Sequence, residues 1–164
     1  MKVKLTPEDL KQAMRSWITG VAIVTGRHDG IVHGMTANSF NSIALDPPTV
    51  LVALNQFTRT QEVVRAGGVF AVSILGIAQA SLAQRFAGQI DADLPRFDDV
   101  EVFTMATGAP LIKDAIAHLD CKVIHSFEAG RSVVFLGDVI EVNVSPGEQD
   151  PLLYFNRRWR KLAE

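Results

Sequence analysis

The spacing of apolar residues predicts a helix at the start of the chain. Thr6-Pro7 is typical of a helix N-terminus, with threonine as the cap and proline in the first turn. Apolar residues then recur at helical spacing between Leu10 and Ile18, which gives one apolar face. Gly20 is expected to end this helix.

The next part of the chain alternates between short extended runs and turn residues. His28-Asp29-Gly30 separates two extended runs and predicts a hairpin over residues 21–36. A third strand is expected over residues 40–45, stopped by Asp46-Pro47-Pro48. Residues 49–54 are almost all apolar and predict a fourth strand that is buried on both faces.

Helical and extended patterns alternate in the middle of the chain. Thr58 and Gln61 have capping-box spacing, which predicts a helix to about residue 66 that ends at Gly67-Gly68. A fifth strand is predicted over residues 69–75 and a second short helix over residues 77–86. Residues 88–100 are polar and lack periodicity, so they predict a surface loop.

The last third of the chain reads as long strands joined by a tight turn. In residues 117–123 apolar residues alternate with His118, Asp120 and Lys122, which predicts a half-buried strand, and another follows over residues 132–144. The total is six or seven strands and two or three short helices. Because tight turns join most strands, the sequence predicts a mainly β fold, an antiparallel barrel with helices packed outside.

Composition restricts the class of protein further. The 164 residues fit a single domain spanning 1–164, too short for separate flavin and nicotinamide domains. A net charge of −2 argues against nucleic-acid binding, and one cysteine excludes a disulfide-stapled scaffold. The chain has neither an apolar run of membrane-spanning length nor an apolar signal core. We therefore expect a cytoplasmic protein with no membrane partner.

The chain also lacks the common catalytic motifs. It contains no GxGxxG after a strand, no phosphate-binding GxxxxGK[ST], no HExxH and no GxSxG. Its four histidines do not have metal-ligand spacing, so we expect no metal site. If the protein is an enzyme, a cofactor is expected to supply the reactivity.

Two segments are candidates for binding such a cofactor. Residues 34–42 place small polar side chains in a strand that the pattern puts at the centre of the sheet, which suits a flat polar ligand or a solvent-facing strand. Residues 55–60 form a capped helix N-terminus with an arginine, which suits an anion or is an ordinary cap. Together they indicate a flavin nucleotide. Two further segments are 85–87, with an arginine beside a phenylalanine, and the aromatic and basic tail 154–159.

Several of these segments resemble one known family. The runs Thr19 to Thr25, Gly34 to Phe40, Ser42 to Pro48, Arg85 to Gly88 and Pro151 to Phe155 resemble the short-chain flavin reductases. The resemblance covers nearly the whole chain and is most specific in the TANSF and DPP residues. It points to the reductase components of two-component flavin monooxygenases.

The resemblance implies an FMN-binding split barrel that works as a homodimer and reduces FMN or FAD with NADH or NADPH. It implies a separate flavin-dependent monooxygenase as partner. It also implies cofactor-binding residues along the flavin ring, at its pyrimidine side and at the ribityl-phosphate end. In that order they are His33, Gly34, Met35, Thr36, Ala37, Asn38 and Ser39; then Ala53, Leu54 and Asn55; then Arg59, Thr60, Arg85 and Phe86.

One turn departs from the family pattern. Where the family commonly has Gly-Asp-His, with the histidine near the nicotinamide, this chain has Gly130-Arg131-Ser132. We assign nicotinamide binding to Arg131, Ser132, Tyr154 and Phe155, and Arg131 is a candidate contact for a pyrophosphate or a 2′-phosphate. No catalytic side chain is predicted, since positioning suffices for hydride transfer.

Two other classes of protein stay open from the sequence. A flavin-binding protein that stores its flavin or carries electrons without turnover would fit the altered turn. A barrel without cofactor would leave the polar slot unexplained.

Overall fold

The computed structural model describes residues 4–90 and 95–163, and its elements are mostly strands. In chain order they are α1 Pro7–Met14, β1 Thr19–Gly20, β2 Ala22–His28, β3 Ile31–Ala37, β4 Asn41–Leu45, β5 Pro48–Asn55, α2 Arg59–Gly67, β6 Val69–Ile74, a 3₁₀ turn Ile77–Gln79, α3 Ala80–Phe86, β7 Val102–Thr104, β8 Pro110–Ile112, β9 Ala117–Ala129, β10 Ser132–Val144, β11 Leu153–Phe155 and β12 Arg158–Arg160.

Seven strands form one antiparallel sheet in the order β3-β2-β6-β9-β10-β5-β4. The hairpin turn at Asp29-Gly30 has positive φ at both residues, as the sequence predicts. Strands β3 and β4, the two edges of the sheet, are consecutive in the chain, so the sheet curls toward closure. Strand β4 pairs with β5 only up to Leu51, and the gap between β3 and the rest of β5 is called the seam. This is the antiparallel split barrel with short flanking helices expected from the sequence, and the expectation is confirmed.

Two small sheets flank the barrel. Strands β11 and β12 form a hairpin whose first strand also pairs with β1, in the register Thr19 to Tyr154 and Gly20 to Leu153. Strands β7 and β8 pair with each other, and β8 packs against β2 and β6. The tail therefore returns to the N-terminal segment.

Side-chain caps and close packing set the helices. Thr6 and Asp9 form a reciprocal capping box at α1, and the Thr58 side chain accepts from the Gln61 amide at the start of α2. Helix α2 ends at Gly68, which has φ +65°. A Cβ at Gly67 would lie 1.9 Å from the Arg27 carbonyl oxygen, so glycine is required for the close approach of α2 to β2.

The apolar core has two main parts. Inside the barrel, Val52, Phe70 and Phe135 are fully buried among β5, β6 and β10. On the outside of β2, Ile23 and Phe86 pack with Leu152 from the tail. The second cluster attaches α3 and the tail to the barrel.

Three details of the predicted elements are wrong. Helix α1 ends at Met14 rather than near Gly20, because residues 19–20 pair with the tail as β1. The strand at residues 34–37 lies at the sheet edge rather than at its centre. Strand β5 is buried on one face only within one chain, since Leu51 and Ala53 are half-buried.

The predicted half-buried strand at residues 117–123 is also different in detail. His118 and Asp120 are buried, because the β7–β8 hairpin covers their side of β9. The Asp120 carboxylate accepts from the Thr107 amide at 2.7 Å and from its hydroxyl, and His118 Nε2 lies 2.7 Å from the Ile112 carbonyl oxygen. Cys121, on the opposite face, is buried too, and burial raises the pKa of its thiol to about 12.

Some expectations concern features that the described residues do not contain. The predicted surface loop 88–100 is described only in part, since residues 91–94 lie outside the described residues. In the described ranges, no helix is long and apolar enough to span a membrane. Those ranges also hold no group of three His, Cys, Asp or Glu side chains arranged to bind a metal ion.

Candidate functional site

The site lies at the seam of the barrel, where β3 ends. Edge strand β3 has backbone groups that face away from β2, its ladder partner among the described strands. Beyond β3 the seam is bridged by Ser39, whose hydroxyl donates to the Ala53 carbonyl oxygen at 2.7 Å and accepts from the Ala53 amide at 3.3 Å. This bridge brings the predicted ring-binding strand beside the predicted pyrimidine-side strand.

The predicted ring-binding residues differ in exposure. Asn38 is exposed, while Met35, Thr36 and Ser39 are half-buried. The Thr36 hydroxyl donates to the Ala83 carbonyl oxygen at 2.7 Å, which ties β3 to α3. Gly34 and Ala37 are buried, so in this arrangement they offer a ligand backbone rather than side chain.

The end of β5 turns into the cap of α2. Leu54 is buried in the barrel core, whereas Asn55 is exposed. The Asn55 side-chain oxygen accepts from the Phe57 amide at 3.0 Å, and its carbonyl oxygen accepts from the Thr58 amide and hydroxyl. These bonds fix the N-terminus of α2 next to the seam.

The predicted phosphate-binding residues at α2 point in different directions. Thr60 is fully buried, and its hydroxyl lies 2.8 Å from His33 Nδ1, so it holds the imidazole. Arg59 is exposed and donates to Glu62 at 2.8 Å. Burial lowers the pKa of His33, and the positive charges of Arg96 and Arg59 lower it further, against the opposing effect of Glu62.

On the other side of β3, α3 presents Arg85 and Phe86. Phe86 is fully buried and packs edge-on against Phe97 with ring centroids 5.2 Å apart. Arg85 donates to the Pro95 carbonyl oxygen at 2.8 Å, while its Nε is buried with no partner among the described residues. Arg85 therefore keeps a donor for an additional acceptor.

Arg96 is a site residue that sequence reasoning missed. Its guanidinium donates to the Gly34 carbonyl oxygen at 2.7 Å, and burial lowers its pKa. The sequence places it in a loop without periodicity, and no local signal joins it to β3.

The predicted nicotinamide-binding residues fall into two separate groups. Arg131, in the β9–β10 turn, lies over the Phe57 ring at 5.1 Å from its centroid, and Ser132 pairs with Asn55. Tyr154 instead packs against Trp159 in the tail sheet, with centroids 5.1 Å apart. Tyr154 lines the clefts described next, whereas Arg131 does not.

Two adjoining clefts open beside the seam and share Asn38 and Tyr154. The smaller, of about 180 Å³, lies between β3 and the tail, with Thr36 and Trp159 in its wall. The larger, of about 410 Å³, runs from Ser39 to α1. Its residues from α1 were missed because the sequence pattern assigned them to a helix face.

The residues present fit a flavin. The edge strand supplies backbone groups for a flat polar ring, and the buried, unpartnered Arg85 Nε offers a donor to an anionic end. Fold and site together define a split-barrel protein of the flavin-dependent oxidoreductase class.

Comparison with known proteins agrees with this class. The family described as "Flavin reductase like domain" matches residues 14–163. The reductase component of 4-nitrophenol 4-monooxygenase/4-nitrocatechol 2-monooxygenase from Rhodococcus opacus is 36% identical over 155 residues, 94% of this chain and 80% of that protein. The NADH-dependent flavin reductase StyB of Pseudomonas fluorescens is 35% identical over 151 residues, 91% of this chain and 86% of that protein. The solved structure of the flavin reductase PheA2 superposes with a TM-score of 0.89 at 36% identity and covers 98% of this chain and 100% of that one.

The chain belongs to the flavin reductase-like family. The family, the fold and the class of enzyme predicted from the sequence, a nicotinamide-dependent flavin reductase, are confirmed. The individual roles of the binding residues stay predictions.

Proposed function

We propose that the chain reduces FMN or FAD bound along the seam, with NADH as hydride donor, and releases the reduced flavin to a separate monooxygenase. The observation that carries the proposal is the seam itself, where exposed Asn38 and the edge of β3 border two clefts beside the Ser39–Ala53 bridge. The named relatives support NADH as the donor and a monooxygenase as the recipient, since one is the reductase component of a monooxygenase and another is NADH-dependent.

A bound flavin supplies the redox chemistry, because its ring accepts a hydride from a reduced nicotinamide. The chain's own residues bind and orient. Asn38 and the outward backbone groups of β3 would hydrogen-bond the ring, and Ser39 holds β5 beside β3 through its two bonds to Ala53. Preorganised donors of this kind stabilise negative charge at the moment it develops.

Arginines on both sides of β3 would hold the anionic end of the flavin. Arg59 lies on the α2 side, near the imidazole of His33, and Arg85 and Arg96 lie on the α3 side. The Thr60 hydroxyl hydrogen-bonds His33 Nδ1 and so fixes the orientation of the imidazole ring. Phe86, which is fully buried, contributes by supporting Gly34, where an added Cβ would lie 3.1 Å from its ring.

The working unit is proposed to be a homodimer. Leu51 and Leu136 are directly opposite each other on the outer face of β5 and β10, and both are half-buried in one chain. The register places Asn41 beside Leu51 and His125 beside Leu136, and the bulge residues Ile43 and Ile124 of the neighbouring strands are 53% and 57% exposed. Exposed apolar side chains grouped in this way support an interface between subunits.

A second copy on this face would explain the sequence of β5. The almost wholly apolar run 49–54 predicts burial on both faces, and one chain buries only Val50, Val52 and Leu54. Covering Leu51 with the partner's equivalent face would complete the burial that the pattern indicates.

The donor and the partner support a cytoplasmic location. Reduced nicotinamide is the proposed co-substrate, and the reduced flavin has to reach an oxygenase on a different chain. Both requirements are met where the two proteins share one compartment. Residues 1–164 are proposed to act as a single domain.

Steady-state kinetics test the reductase proposal against the carrier. NADH consumption by purified protein is measured with and without added FMN or FAD. A reductase consumes NADH continuously as flavin is supplied, in many-fold excess over protein. Retention of yellow flavin with no NADH consumption beyond one equivalent would establish the carrier instead.

A further inference from the structure

The β7–β8 hairpin lies on the outside of the barrel without joining its main sheet. Its two strands pair with each other and, among the described strands, with no other. At the open end of the hairpin the Lys113 amide donates to the Glu101 carbonyl oxygen at 3.0 Å, and the two side chains form an ion pair. Side-chain hydrogen bonds and packing therefore have to attach the hairpin to the barrel.

Four polar side chains of the barrel bond the hairpin. They lie on the outer face of the neighbouring strands β2, β6 and β9 and are fully or almost fully buried: Thr25, Ser73, His118 and Asp120. The Thr25 hydroxyl donates to the Pro110 carbonyl oxygen, and the Ser73 hydroxyl accepts from the Ile112 amide at 2.9 Å. His118 Nε2 donates to the Ile112 carbonyl oxygen at 2.7 Å. These three bonds all reach β8.

Asp120 is the member of this group that holds the turn of the hairpin. Its carboxylate accepts from the Thr107 amide at 2.7 Å and from the Thr107 hydroxyl at 2.5 Å. Apolar contacts between Ala71 and Leu111 also hold the hairpin, but such contacts are not directional. Hydrogen bonds to a carboxylate are directional and strong, so Asp120 sets the position of the turn.

The other end of the same segment reaches the proposed flavin site. Just before the hairpin, Val100 and Phe97 pack in the apolar cluster that contains Phe86, and the Val100 amide donates to the Phe97 carbonyl oxygen at 3.1 Å. The next residue toward the N-terminus is Arg96, which donates to the Gly34 carbonyl oxygen at 2.7 Å. Arg96 thus approaches β3 on a short segment that continues into the hairpin.

This segment has little regular structure of its own. Residues 95–100 form turns but neither a helix nor a strand, and Arg96 is half-buried. An arginine that is already held in place loses less conformational freedom when it binds an anion. The position of Arg96, and with it the affinity for an anionic group, therefore depends on the contacts that fix the two ends of the segment.

From these contacts we propose that Asp120 is a positioning residue for flavin binding. Through Thr107 it fixes the hairpin, and the hairpin fixes residues 95–100, so that Arg96 is held at Gly34 to bind the anionic end of a flavin. Asp120 is fully buried beneath the hairpin and acts only through it. The inference rests on the proposed function for the place of the flavin.

The first test compares FMN with riboflavin, which lacks the phosphate. Dissociation constants are measured by fluorescence titration for the wild type, Asp120→Asn and the control Asp114→Asn, which changes an exposed carboxylate just after the hairpin at a φ of +61° that asparagine tolerates. We expect Asp120→Asn to weaken FMN binding about tenfold and to leave riboflavin binding unchanged, with the control equal to the wild type. Equal losses for FMN and riboflavin, or no loss for FMN, would overturn the proposal.

Thr107→Val covers the case in which Asp120→Asn does not fold. It removes the hydroxyl donor and keeps the amide donor, so the hairpin loses one of its two bonds to Asp120. We expect the same selectivity for FMN over riboflavin, with a loss of FMN affinity of about threefold or more. Unchanged FMN affinity in this variant would count against the proposal in the same way.

The second test is a double-mutant cycle with Arg96→Gln. This substitution alone should weaken FMN binding by about tenfold. If Asp120 acts through Arg96, the double variant Asp120→Asn/Arg96→Gln should bind FMN no more weakly than Arg96→Gln, since there is no longer a guanidinium to position. Losses that add would show that the two residues act independently and would overturn the proposal.

The third test needs no flavin. Burial and the positive charge of Arg96 lower the pKa of His33, so the titration of its ring protons in NMR spectra reports whether Arg96 keeps its place. We expect the pKa of His33 to rise in Asp120→Asn, as in Arg96→Gln, and to stay unchanged in Asp114→Asn. A rise in Arg96→Gln with none in Asp120→Asn would overturn the proposal. Reduction of FMN by NADH in the wild type tests the proposed function separately, so failure of either idea is distinguishable.

Discussion

The Ser39 hydroxyl bridges the seam of the barrel by bonding both backbone groups of Ala53, as donor at 2.7 Å and as acceptor at 3.3 Å. One side chain thus replaces a pair of ladder hydrogen bonds at Ala53, which lies beyond the part of β5 that pairs with edge strand β4. The same bridge sets the separation of the two strands that border the proposed flavin site.

Ser39→Ala tests this bridge. Loss of the hydroxyl leaves the Ala53 amide and carbonyl without their side-chain partner, so we expect a loss of about 1–2 kcal/mol in the free energy of unfolding. The KM for flavin should rise as well, because the seam is no longer held at a fixed width. Urea unfolding and steady-state kinetics measure both, with Ser81→Ala, an exposed serine of α3, as control. An unchanged KM for flavin in Ser39→Ala would show that flavin binding does not depend on this bridge across the seam.

Gly67→Ala tests the packing of α2 on β2. An added Cβ would lie 1.9 Å from the Arg27 carbonyl oxygen, so the helix would have to move. Helix propensity alone would favour alanine, but we expect the clash to dominate and to cost about 1–3 kcal/mol.

The matched control is Gly20→Ala, since no atom lies within 4 Å of its added Cβ. Its unfolding free energy should stay within about 0.5 kcal/mol of the wild type. Equal stabilities of the two variants would show that α2 is not held at Gly67.

His33 should titrate below its usual pKa of 6.5 in the folded protein, because burial and the charges of Arg96 and Arg59 disfavour the imidazolium. The unfolded chain then binds more protons than the folded one just below pH 6.5. The contribution of His33 to stability is therefore complete above pH 6.5 and decreases as the pH falls below it.

NMR titration of the histidine ring protons measures this shift directly. In Arg96→Gln the pKa of His33 should rise toward 6.5, and in His33→Gln the decrease of stability below pH 6.5 should be smaller. A His33 that titrates above 6.5 in the wild type would contradict the arrangement of charges at α2.

The proposed dimer is tested by Leu136→Glu. A carboxylate in the centre of the apolar face would remain unpaired between subunits, so we expect a monomer in light scattering. Val32→Glu, at an exposed position of β3, should leave the oligomeric state unchanged. A wild type that is monomeric and active at assay concentrations would contradict the dimer.

The sequence is sufficient where structure is determined locally. The hairpin at Asp29-Gly30, the cap of α2 at Thr58 and its end at Gly68 follow from short-range turn and capping chemistry. The split barrel and the position of Asn38 and Ser39 followed from family resemblance, because register across the seam depends on residues far apart in the chain.

Burial and site composition could not be predicted where distant segments meet. His118 and Asp120 look like a solvent-facing side of a strand, and only the β7–β8 hairpin makes them interior. Arg96 reaches Gly34 from an irregular loop, and the larger cleft is built from α1 and the tail. Periodicity within one segment carries no information about such contacts.

Anaerobic flavin reduction by NADH tests the central claim most directly, namely that the seam at Asn38 binds a flavin ring and promotes its reduction. The loss of flavin absorbance is followed after mixing NADH with flavin and wild type, Asn38→Leu, or the control Asn143→Leu, which changes an exposed residue of β10. We predict rapid reduction with the wild type and the control, and at least about tenfold slower reduction or weaker flavin binding with Asn38→Leu. A wild-type rate no faster than that of NADH and flavin without protein, or an Asn38→Leu variant equal to the control, would contradict the account.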